Sequence, residues 1–215
     1  MRKFDANSLD NVNFRELYNS FLLVENIDVK TKALIMHSDF KIRPDDNAML
    51  IFGYVDHEAG LSFELMCAAY VFDDGKVVLE PGSNTTTLKF RYGSFTGKIS
   101  PFSDKHSLEP FIDKAESIVA NYKENDNVEI FRHMKMLDPL RAPGFPDDIV
   151  VIFFKKGIRS EGIWCRIEDI DQDNKVLKMK MLNEPNADFG KHIGNIVDVE
   201  LTKLDNGECK AVVIF

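Results

Sequence analysis

Apolar residues near the start of the chain fall at helical spacing. Phe14, Leu17, Phe21 and Val24 stand close to i, i+3, i+7 and i+10, and Leu22 and Leu23 widen that face. The pattern predicts a helix over residues 12–25, capped by Asn11 or Asp10. From residue 31 to residue 100 the periodicity shortens. Ala48 to Val55 is apolar, and Leu61 to Phe72 is apolar except at Ser62 and Glu64. A helix also fits residues 57–70. Asp73-Asp74-Gly75 then supplies a turn before a strand over Lys76 to Glu80, because Asp and Gly tolerate positive φ. Pro81-Gly82-Ser83-Asn84 predicts a further turn. Leu88, Phe90 and Tyr92 alternate with Lys89 and Arg91, and the Gly93 to Lys98 stretch reads as a hairpin. Together these predict an antiparallel meander.

Residues 107–122 read as a helix, with Ser107 as N-cap and Pro110 in the first turn, where its missing N–H costs nothing. Leu108, Phe111, Ala115, Ile118, Val119 and Tyr122 form its apolar face. Residues 127–137 fit two patterns. Val128, Ile130, Met134 and Met136 alternate, while Val128, Phe131, Met134 and Leu137 recur every third residue; the first pattern, a strand, is preferred. Residues 138–148 hold three prolines and a glycine, which predicts an irregular loop or a domain boundary.

Ile149 to Phe154 is apolar on both faces, as in a central buried strand. Short strand patterns follow at Ile163–Ile167, Val176–Leu182, Ile196–Leu201 and Lys210–Phe215, with turn residues at 171–174, 183–186 and 205–207. The fold class expected is α+β: an antiparallel sheet with few helices, then a small β-rich part, barrel-like or sheet. The expected organisation is an N-terminal part over 1–137, a connecting loop over 138–148 and a C-terminal part over 149–215.

Charge narrows the function. The 215-residue chain carries 27 basic and 35 acidic side chains, a formal charge of −8. Nucleic-acid binding relies on Lys and Arg neutralising phosphates, and anionic membranes attract polybasic stretches. No such run occurs, so neither partner is expected. An acidic field favours encounter with a basic protein. Cys67, Cys165 and Cys209 are far apart and form no CxxC, as expected of buried thiols in a reducing compartment. No apolar leader follows Met1-Arg2-Lys3-Phe4-Asp5, which predicts the cytoplasm.

The C-terminal third has an order of features of its own. Glu161 precedes Trp164, a second strand leads to Asn183-Glu184-Pro185, and Phe189-Gly190 and His192-x-Gly194-Asn195 follow. Over about residues 149–207 this resembles the YegJ-like bacterial domains of unknown function, with Asn195 where that family's turn has Asp. The resemblance implies a small β-rich domain of a bacterial protein. It carries over no catalytic residue, because that family has no established activity.

Familiar chemistry is missing from the motifs. Asp169-x-Asp171-x-Asp173 begins like a calcium loop, but Asn174 and Lys180 stand where Gly and Glu are needed. His37, His57, His106, His133 and His192 form no zinc spacing. Gly93 to Lys98 lacks the phosphate-loop pattern, no GxSxG occurs, and Cys165 lies in a strand. No cofactor is therefore expected. In the 138–148 loop, Arg141 is placed to pair bidentately with Asp147 or Asp148 and lock the loop, or to form a binding surface with them and Phe145. Trp164 belongs in the core by default; exposed, it would mark a binding hot spot. The reading preferred is a binding or accessory protein without catalysis, covering a basic protein partner. The alternative is an enzyme with a site between the two parts, near the 138–148 loop, Asn183 and His192.

Overall fold

The computed structural model describes residues 3–6, 12–82, 86–173 and 175–215. It has an α+β fold made of two compact units, Met1–Lys123 and Glu124–Phe215. Residues 124–137, which the sequence pattern assigns to the N-terminal part, thus pack with the C-terminal one.

The first unit is a seven-stranded antiparallel sheet with few helices. Its strands are β1 (Phe4–Asp5), β2 (Ser20–Glu25), β3 (Ala48–Asp56), β4 (Gly60–Val71), β5 (Val77–Pro81), β6 (Lys89–Arg91) and β7 (Lys98–Pro101). Their order is β1-β7-β2-β3-β4-β5, with β6 also paired to β4. Both faces carry packed apolar clusters, which explains the long apolar runs. Met49, Ile51 and Val55 pack on one side with Leu61, Phe63 and Leu65. Leu50, Phe52 and Tyr54 pack on the other with Met66 and Cys67. A bulge at Met66, between the Leu50 and Ile51 pairings, shifts the alternation of β4 by one residue, so Cys67 faces the opposite side from Leu65.

The helix expected over 12–25 is a 3-10 turn, Phe14–Glu16, followed by β2. Asn13 caps the turn, whereas Asn11 and Asp10 lie outside the described residues. Asn19 then adopts φ 49, outside the helical region, and reverses the chain. The apolar Phe21–Val24 run is buried between β3 and β7, and that pairing overrides its helical spacing. Gly53 makes the return possible. A Cβ there would lie 2.0 Å from the Leu17 carbonyl oxygen.

The strand region also contains a helix, α1 (Val29–Met36), capped by Asp28. Residues 57–70 form no helix: Gly60–Val71 is β4. Gly93 to Lys98 is not a hairpin, because β6 pairs β4 whereas β7 pairs β1 and β2. The segment is a crossover, and Phe95 anchors it against Phe63 and Phe90 at 5.5 Å each. Ser83 and Asn84 of the expected turn lie outside the described residues, as does Asn174. The helix expected at 107 begins earlier: α2 (Lys105–Leu108) is capped by Asp104, not Ser107. A 3-10 turn follows, and then α3 (Ile112–Tyr122). Leu108, Phe111, Ala115 and Ile118 bury the predicted face against the sheet.

In the second unit, the strand expected at 127–137 is the helix α4 (Asp126–His133) and a 3-10 turn, Lys135–Leu140. Asn125 caps α4 by accepting from Val128 N at 3.0 Å. Acids fall in its first turn and Arg132 and His133 in its last, matching the helix dipole. The three-residue repeat was the relevant pattern: Val128, Phe131 and Leu137 are buried. The 138–148 segment is regular, not an open loop. It completes the 3-10 turn and forms β8 (Arg141–Ala142) and the start of β9 (Phe145–Lys155). Pro139 fits the 3-10 turn because its fixed φ suits that backbone.

β10 (Ile158–Asp171), β11 (Val176–Met181), β12 (Ile196–Lys203) and β13 (Cys209–Ile214) complete the unit. The pairings run β9-β10-β11-β12-β13 and return to β9. β13 meets β9 in parallel over three residues only, Val212–Ile214, so the sheet is ring-like rather than a closed barrel. Ile149, Val151 and Phe153 face its interior with Ile163, Cys165 and Ile167. No helix among the described residues is long and apolar enough to cross a membrane.

Candidate binding face

Strand alternation points every second residue of β9, β10 and β13 outward. On that outer face Trp164 lies opposite Val150, Gly162 opposite Ile152, Ile152 opposite Val212 and Phe154 opposite Ile214. The result is a continuous apolar strip across three strands. Trp164 is 41% exposed, Phe154 49% and Ile214 73%, so the expectation of a core tryptophan is corrected. Gly162 lets its neighbours close over the strip. A Cβ there would stand 3.1 Å from Cγ2 of Val150.

The segment after β11 holds Trp164 in place. Trp164 N donates to Oδ1 of Asn183 at 2.8 Å, and Leu182 N donates to the Trp164 carbonyl at 2.8 Å. The Glu161 carboxylate accepts from Asn186 N at 2.9 Å and from Asn186 Nδ2 at 2.6 Å. Glu184 accepts from Ile193 N at 2.9 Å, and its Oε1 lies 2.6 Å from Nδ1 of His192. The hydrogen bond with His192 holds the Glu184 carboxyl below its ordinary range and raises the imidazole above its own. Phe189 is buried beside Phe153, with ring centroids 5.6 Å apart. Glu161, Asn183, Glu184, Phe189 and His192 therefore all serve to order one segment beside Trp164.

The remaining expected site residues divide between brace and surface. Arg141 does not supply the bidentate clasp. Asp147 is held by Arg132 through Nε at 2.8 Å and the second terminal nitrogen at 2.7 Å. Asp148 is held by Arg166 at 2.7 and 3.0 Å. Arg141 instead reaches Asp138 at 3.2 Å, the carbonyls of Pro146 and Phe131, and the Phe131 ring at 4.7 Å. It closes the carbonyl end of α4. Phe145 sits at the exposed start of β9.

Arg132 escaped sequence reasoning. Its side chain is buried, and Glu129 at 2.7 Å completes its pairing. An arginine is rarely buried unless paired. The signal was its place on the buried side of α4 near Val128 and Phe131, legible only once 126–133 is read as a helix.

Burial pushes the thiols of Cys67 and Cys165 up to about 12, and raises that of Cys209 as well. Among the described residues no group of three or more His, Cys, Asp or Glu is arranged to hold a metal ion. No family, curated protein sequence or solved structure matches the chain.

Proposed function

We propose that the chain is a binding or accessory protein without catalytic activity, and that its C-terminal unit meets a protein partner through the strip centred on Trp164. The observation that carries this reading is a tryptophan side chain exposed on an apolar sheet face while its backbone is bonded at both N–H and C=O. An anchor ordered before contact loses little entropy on binding. Tryptophan is also among the residues that most often dominate interface energy.

The partner offers apolar side chains to the strip and carries net positive charge. The strip supplies affinity, and the −8 charge of the chain steers encounter. These roles separate in kinetics. Rising salt slows association, whereas Trp164→Ala speeds dissociation. Surface plasmon resonance on a partner captured by the full chain reads both rates. A partner that binds Trp164→Ala as tightly as the parent would sink the reading. So would one whose association ignores salt, as far as the basic partner is concerned.

A further inference from the structure

The first unit has a recess that its own packing leaves uncovered. A helix is about 10 Å wide, while seven strands span roughly 30 Å, so α3 shields only part of the sheet face it lies on. Beside it a cavity of about 360 Å³ opens between the helix and β2–β3. Phe21 and Phe52 form the sheet wall, edge to face with centroids 5.0 Å apart. Ile112, Ala115, Val119 and Ala120 of α3 form the opposite wall. Glu116, one turn after Ile112, is the single charged lining residue, and it is exposed to solvent.

These walls give water almost nothing to hydrogen-bond. A site that water occupies poorly gains affinity when an apolar group displaces that water. The volume lies at the lower end of small-molecule pockets, and such pockets are mostly apolar with a few orienting polar groups. Here the orienting group is an anion. We infer that this recess is a binding site for a small amphiphilic cation, an alkyl or aryl amine whose hydrocarbon part enters between Phe21, Phe52 and α3 while its ammonium meets Glu116. A carboxylate-bearing lipid has the same tail and the wrong charge. The inference stands apart from the Trp164 face, because every lining residue belongs to the first unit.

Calorimetry of the full chain with octylamine, octanol and octanoate tests it. Octylamine is expected to bind at one site per chain, ahead of octanol, with octanoate weakest. Ala120→Phe, at an exposed position on the wall, fills the recess and abolishes octylamine binding while the melting temperature holds. Glu116→Gln weakens octylamine about threefold, the scale of an exposed ion pair, and leaves octanol unchanged. The inference fails if octylamine gives no binding heat, or if Ala120→Phe leaves the binding intact. It fails equally if octanoate matches octylamine on the parent protein.

Discussion

Trp164 and Asn183 are joined backbone to side chain: the Trp164 N–H donates to Oδ1 of Asn183 at 2.8 Å. Nineteen residues separate them, yet this bond ties the exposed strip to the segment that follows β11. It also separates two effects that one substitution at Trp164 would blur, since anchoring and contact reside in different residues.

Trp164→Ala should cost partner binding about 2 kcal/mol and, because more than half of the side chain is covered, about 1–2 kcal/mol of stability as well. Asn183→Ala should act mainly on stability. The unmet Trp164 N–H costs about 1 kcal/mol of stability, and affinity falls less than with Trp164→Ala. Urea unfolding followed by circular dichroism, beside dissociation rates, checks both.

Arg132→Met should destabilise the C-terminal unit by about 3–5 kcal/mol, because Asp147 would remain buried without its guanidinium. Pairing it with Asp147→Leu should recover much of the loss, since the charge and its partner then leave together. Trp164 is the chain's only tryptophan and lies in this unit, so its fluorescence follows the unfolding directly.

Gly53→Ala should cost the N-terminal unit about 3 kcal/mol or more. A Cβ at that position would stand 2.0 Å from the Leu17 carbonyl oxygen, and the clash is with backbone rather than a movable side chain. A comparable melting temperature for Gly53→Ala would show that the 17–19 turn can move aside.

His192 and Glu184 should order their segment most between the ordinary carboxylate and imidazole values. The folded imidazole is raised, so its contribution is complete below its unfolded value and is lost as pH rises through the folded one. The folded carboxyl is lowered, so its contribution is present above its unfolded value and is lost as pH falls through the folded one. An NMR titration of His192 should show a midpoint above that of an unperturbed histidine side chain, returning toward it in Glu184→Gln.

The sheet of the first unit was legible where strands alternate or turn on Asp-Gly, as at β6 and at Asp73-Asp74-Gly75 before β5. It was illegible where an apolar run has no period of its own. Phe21 to Val24 fits a helix or a strand covered on both faces, and only β3 and β7 beside it decide which. At α4 the reverse happened. Two periodicities were present, and the Asn125 cap with acids early and bases late would have chosen the helix. The Pro-rich 138–148 segment misled because three prolines look irregular, although a 3-10 turn, the turn between β8 and β9 and the start of a strand take one each.

The candidate face was legible only in its parts. Trp164, Asn183 and His192 stood out as residue types, and the acids at 147 and 148 as a pair that needed partners. Which guanidinium each acid took was invisible, because Arg132 and Arg166 lie 15 and 18 residues away from them along the chain. By itself the sequence determined the α+β class, the acidic field and the absence of familiar catalytic spacings, since these follow from composition and local pattern. The tertiary structure alone decided that Trp164 faces outward. In a strand buried on one face, a side chain points in or out according to register, and register belongs to the whole sheet.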